Sequence, residues 1–208
     1  MQRTTLYITT AALTSLVLGL SIFAWAQGLR GDVDRYDVFP LLGLLAFGLM
    51  WMHYVSGSLK RYLRLDGDET LLKRYFHITS LCALALILLH PAMLYTGLFH
   101  DGFGLPPASA WQAYGTTAAR TGLILGSVSL VAFLLFELGR WFRKKSWWNY
   151  IEYASMGAML LIFVHALLLG GELLPGWFRF FWIFIGWILV MSIIYNYWYD
   201  HQSTHQEQ

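Results

Sequence analysis

Charge is scarce in this sequence. Lys, Arg, Asp and Glu make up 12% of its 208 residues, against about a quarter in an ordinary soluble domain. The 14 basic and 12 acidic residues leave a formal charge of only +2, which argues against a nucleic-acid partner. Cysteine is nearly absent: Cys82 stands alone inside an apolar run. That excludes an internal disulfide framework and a cysteine-based metal cluster. No low-complexity tract and no internal repeat are evident, and no Gly-rich nucleotide fingerprint occurs. What fills the chain instead is apolar. Hydrophobic residues reach 57% and the mean hydropathy is +0.51. Such a chain has the bilayer as its solvent.

A helix needs about 20 mostly apolar residues to span a membrane. Six segments qualify, near 5–27, 38–58, 75–99, 120–141, 149–171 and 176–198. Short linkers join them, punctuated by Gly28 with Gly31, by Pro106-Pro107, and by Gly170-Gly171 with Pro175. The expectation is one all-α integral membrane domain over 1–208, a bundle of six transmembrane helices. The first apolar run with Ala24-Trp25-Ala26 also has features of a cleaved signal, but its length favours a retained helix.

Basic residues give the orientation. Arg3, Lys60, Arg61, Arg64, Lys73, Arg74, Arg140, Arg143, Lys144 and Lys145 fall on one side, ten of the fourteen. The positive-inside rule puts that side, and both termini, in the cytoplasm of what reads as a bacterial inner-membrane protein. Tyr62, Tyr75, Trp141, Trp147, Trp148 and Tyr150 suit its aromatic belt. The basic loops, with Trp147 and Trp148, could dock a donor protein or an anionic flavin, but the ordinary positive-inside signal is the favoured reading.

Ligand-type side chains within a span are costly and mark functional candidates. They are His53 in the second span, His77 and His90 in the third, and His165 and Glu152 in the fifth. The third and fifth spans run the same way, and His90 and His165 lie about 15 and 16 residues into them. At about 1.5 Å per residue they share a depth, in the outer half of the membrane. Two such histidines can ligate opposite faces of one haem iron, a use to which imidazole and bundle interiors are suited. A bare hydrogen-bonded pair is the plain alternative. Pro91, directly after His90, either makes room for a macrocycle or is a tolerated kink.

His77 and Glu152 each lie thirteen residues before the outer histidine of their own helix, roughly 20 Å inward. With His53 they make an inner polar layer. It could be a second haem held by His53 and His77, a quinone or flavin pocket, a proton relay, or a simple polar pair near the interface. Arg120 and Tyr95 are further candidates, each able to meet a haem propionate or merely anchor the interface. His100, His201 and His205 read as solvated.

The pattern in RYFHITSLCALALILLHP and WWNYIEYASMGAMLLIFVHALLLG resembles the ferric-reductase-like transmembrane domain. That family includes ferric reductases, NADPH oxidases and the haem subunit of the periplasmic methionine sulfoxide reductase system. The resemblance covers about 38–198. It implies a haem b protein that moves electrons across the membrane, with His77, His90 and His165 at family haem positions. Glu152 stands at the fourth, and a carboxylate is a poor partner for a bis-imidazole iron, so the second haem is left open. The resemblance further implies an outer-side acceptor such as ferric iron or a periplasmic reductase. No soluble nucleotide- or flavin-binding domain follows the last span. The donor would therefore be a separate cytoplasmic flavin reductase, a membrane quinol or a bound flavin. Two rival readings are a quinol-oxidising cytochrome b subunit and a non-redox transporter or assembly protein.

Overall fold

A computed structural model describes residues 2–29, 31, 33–63, 70–137, 139, 145, 147–173 and 176–206. Seven α-helices appear among them: α1 (Gln2–Gly28), α2 (Arg35–Tyr62), α3 (Thr70–His100), α4 (Ala108–Ala113), α5 (Thr117–Glu137), α6 (Trp148–Leu169) and α7 (Trp177–Gln206). A single 3-10 turn, Gly171–Leu173, follows α6. No strand occurs among the described residues. Six of the helices, all but α4, are long and apolar enough to cross a membrane. This is the economical solution in lipid, where every backbone N–H and C=O must be satisfied within the chain.

The chain forms two compact units. One comprises Met1–His90 with Pro175–Gln208, and the other Pro91–Leu174. The division falls at the His90-Pro91 bond, although α3 runs through Pro91 as one helix.

In the first unit, α2 packs on α1 and on α7. Leu6, Val17, Trp51, Met52, Trp182 and Leu189 are buried there. The Phe47 and Trp182 rings lie 4.5 Å apart. The Trp51 indole N–H donates to the Ile185 carbonyl at 2.8 Å, so α2 is tied to α7 by shape and by one directed bond. Small polar side chains add further links. The Thr10 and Ser56 hydroxyls are 3.3 Å apart, and Thr14 and Tyr75 share a hydrogen bond of 2.7 Å. Ser58 donates to Asn196 Oδ1 at 3.1 Å. Such bonds join helices where burial alone gains little, because lipid tails are as apolar as leucine.

In the second unit, α5 and α6 form the most extensive helix pair among the described residues. Gly122 makes that approach possible. A Cβ there would lie 2.7 Å from Leu169 Cγ. Two turns further along, the Ser129 hydroxyl is 3.2 Å from the Ala158 carbonyl. Gly122 and Gly126 form a G-x-x-x-G stripe, the spacing that lets membrane helices bring their backbones together.

Candidate functional site

His90 is held by α2. Its Nδ1–H donates to the Phe39 carbonyl at 2.6 Å, and its ring lies 5.4 Å from the Phe39 ring. Gly43, one turn beyond Phe39, supplies the space. A Cβ on Gly43 would sit 3.0 Å from both Cε1 and Nδ1 of His90. A carbonyl only accepts, so the imidazole proton is on Nδ1 and the lone pair of the neutral ring is on Nε2.

His165 is held by α5 in the same way. Its Nδ1–H donates to the Gly122 carbonyl at 2.7 Å. Gly126, again one turn beyond the carbonyl, faces the ring, and a Cβ there would lie 2.6 Å from Cε1 and Nδ1. The lone pair is again on Nε2. His90 belongs to one compact unit and His165 to the other, yet each unit builds the same local arrangement.

This arrangement has a chemical meaning. Metal-ligating histidines almost always donate their second ring N–H to a carbonyl or carboxylate, which fixes the tautomer and raises the basicity of the ligating nitrogen. No group of three or more His, Cys, Asp or Glu among the described residues could hold a bare metal ion. A haem does not need one. Its macrocycle supplies four equatorial nitrogens, and the protein adds one or two axial ligands. The donor chemistry of His90 and His165, each in a glycine cradle, fits that requirement.

The inner layer is arranged differently. His53 Nε2 lies 2.6 Å from Thr79 Oγ1. The Thr79 hydroxyl is also within reach of the Tyr75 carbonyl at 2.8 Å. The partner of His53 is thus a side-chain hydroxyl, whereas His90 and His165 each meet a backbone carbonyl. The ring of His53 also meets Phe76 edge-on, with centroids 5.0 Å apart. Phe76 and Thr79 define the α3 face that meets His53. His77 lies about 130° around the helix from the middle of that face and is exposed. His53 therefore engages Thr79 rather than His77. In the other unit, Glu152 accepts the Trp148 indole N–H at 2.8 Å. Trp148 is itself buried against Gly139. His100 is exposed. The backbone carries His201 and His205 within α7, and their side chains lie outside the described residues.

Arg120 works within the α4–α5 connection. Its Nε–H donates to the Tyr114 carbonyl at 3.2 Å and Nη2–H to the Trp111 carbonyl at 3.3 Å. Its guanidinium stands 4.8 Å from the Trp111 ring centre. A cation at the last carbonyls of a helix is favourable, so Arg120 closes α4 while Thr116 Oγ1 caps α5 at Ala119 N. Nearby, burial and then the neighbouring Tyr95 phenol push the Tyr114 hydroxyl pKa up. Arg120→Ala is expected to weaken the 111–116 segment by about 1 kcal/mol, read as faster amide exchange there. A selective fall in haem content with unchanged exchange would instead give Arg120 to a propionate.

The glycines and carbonyls that cradle the two rings are not among the candidates that ligand-type side chains mark in the sequence. G-x-x-x-G at 122–126 was a visible signal, since that spacing marks close helix approach. Phe39 with Gly43 has no such signature.

No protein-family model matches the chain, and no curated protein or solved structure is significantly similar to it.

Proposed function

We propose that this protein is a haem b membrane electron carrier of the ferric-reductase-like type, with His90 and His165 as the axial ligands of one haem. One observation supports the reading above all: both histidines donate Nδ1–H to a helix carbonyl, at 2.6 and 2.7 Å, and so direct their basicity to Nε2. Their pairing on one iron rests on their equal depth along parallel spans of the sequence. When bound, the haem supplies one-electron Fe(III)/Fe(II) chemistry. The chain's own residues hold the imidazoles, set their tautomer and exclude water from the bundle interior.

In this reading both termini face the cytoplasm of a bacterial inner membrane. Electrons come from a cytoplasmic flavin reductase or a membrane quinol and leave to an outer-side acceptor, ferric iron or a periplasmic reductase. The test is the absorption spectrum of the protein purified from haem-replete cells. A reducible low-spin b-type spectrum with about one haem per chain is expected. A colourless protein under those conditions would leave the transporter or assembly reading standing.

The placement of His53 supports a quinol as donor. Its ring is hydrogen-bonded to Thr79 through Nε2, and its second ring nitrogen is a group that can bond a quinol hydroxyl. His53→Ala is then expected to slow reduction by menadiol by about 10²-fold or more. Reduction by dithionite would be unchanged. Equal loss with both reductants would show general damage instead.

A further inference from the structure

We infer that Gly43 and Gly126 are positioning residues for the two axial imidazoles. This rests on the haem reading. In an α-helix each Cα–Cβ bond tilts toward the N-terminus, so the side chain at i+4 leans over the turn that carries the carbonyl of residue i. Any side chain at i+4 therefore shields that carbonyl from a neighbouring helix. Glycine uncovers it. The chain does this twice, with Phe39 O under Gly43 and Gly122 O under Gly126, and a histidine from the next long helix occupies each opening.

The two openings differ in clearance. A Cβ on Gly126 would come within 2.6 Å of His165 Cε1 and Nδ1, and one on Gly43 within 3.0 Å of the same atoms of His90. At 2.6 Å something must move. The ring is the group that yields, because the other side of the contact is helix backbone. Moving it lengthens the Nδ1–H bond to the carbonyl and turns the imidazole plane. At 3.0 Å a displacement of a few tenths of an ångström suffices. The glycines thereby govern both ligand orientation and ligand basicity, two properties through which the protein tunes a haem. A weaker Nδ1–H bond makes imidazole less basic, stabilises Fe(III) less and raises the midpoint potential.

Other glycines separate this role from ordinary helix packing. Gly48 is as tight as Gly43, with an added Cβ 3.0 Å from Leu18 Cδ2, but it faces no histidine. Gly57 and Gly157 have nothing within 4 Å.

The test compares Gly126→Ala, Gly43→Ala, Gly48→Ala and Gly57→Ala in the full-length, haem-loaded protein. Haem retention, the low-spin electron paramagnetic resonance spectrum and the midpoint potential are measured on each. Gly126→Ala should lower haem affinity about 10- to 100-fold, the usual cost of disturbing a ligand's hydrogen-bond partner. Gly43→Ala should keep haem, with a higher potential and altered g-values. Gly48→Ala and Gly57→Ala should match wild type. Wild-type potential and g-values in both Gly43→Ala and Gly126→Ala would overturn the inference while leaving the haem reading intact. A shift in Gly48→Ala equal to that in Gly43→Ala would also overturn it. If Gly126→Ala does not fold, Gly43→Ala against Gly48→Ala decides. A wild-type protein without haem would remove the underlying reading, and the inference with it.

Discussion

On the proposed haem reading, His165→Ala and His90→Ala are each expected to lose more than about tenfold in haem-to-protein ratio, beyond the effect of a disturbed hydrogen-bond partner. In each case the lost group is the nitrogen aimed by a carbonyl, Phe39 O for His90 and Gly122 O for His165. The measurement is pyridine haemochromogen content per mole of purified chain. Stability should fall in parallel. A group bound only by the folded state stabilises it by about 2.7 kcal/mol when present at 100 times its dissociation constant. The variants should therefore melt near the temperature of haem-free wild type. Added imidazole supplies a control. In His165→Gly, free imidazole can enter the space left against Gly126 and restore a low-spin spectrum. Restoration assigns His165 to the iron, whereas full haem content in either alanine variant removes that residue from the ligand set.

The second large effect concerns the frame rather than the site. Trp51→Ala is expected to destabilise the chain by about 3–5 kcal/mol, the range for deleting a large buried aromatic. Trp51 is 1% exposed, and its indole N–H is bonded to the Ile185 carbonyl. Inside lipid the loss is mainly one of dispersion contacts and of the cavity left behind, because transfer out of water no longer drives the packing. Trp51→Phe keeps most of the volume and removes the N–H. It should cost roughly 1 kcal/mol, in line with single hydrogen bonds in membrane proteins. Thermal unfolding in detergent, followed by intrinsic fluorescence or circular dichroism, measures both. A Trp51→Ala protein as stable as Trp51→Phe would mean that the α2–α7 contact repacks freely.

Helix ends show where hydropathy stops being informative. The second span was expected near 38–58, and α2 runs Arg35–Tyr62. The third was expected near 75–99, and α3 runs Thr70–His100. The last was expected near 176–198, and α7 continues to Gln206. An apolar run marks the hydrocarbon layer alone. Backbone hydrogen bonding carries a helix further, through Lys60 and Arg61 in α2 or through the polar end of α7. The fourth also starts before its apolar run, since α5 begins at Thr117, capped by Thr116. The six-residue α4 has no run long enough to signal itself and depends on Arg120 to close it.

The histidines were legible one at a time. His53, His77, His90 and His165 each stand out because an imidazole inside a span needs a reason. Their positions along the third and fifth spans of the sequence rank His90 and His165 together. Hydropathy and spacing, which require only counting along the chain, thus marked six candidate membrane helices and the candidate ligands within them. The hydrogen-bond partners were decided by tertiary structure. Which carbonyl a ring meets depends on how two helices rotate about their axes, and that is settled by which side chains are small enough to let backbones approach. Gly43 and Gly126 open the carbonyls of Phe39 and Gly122 to His90 and His165. The turn of α3 presents Thr79 to His53 and carries His77 away from it. No local preference encodes those rotations, because they are a property of the packed helices together.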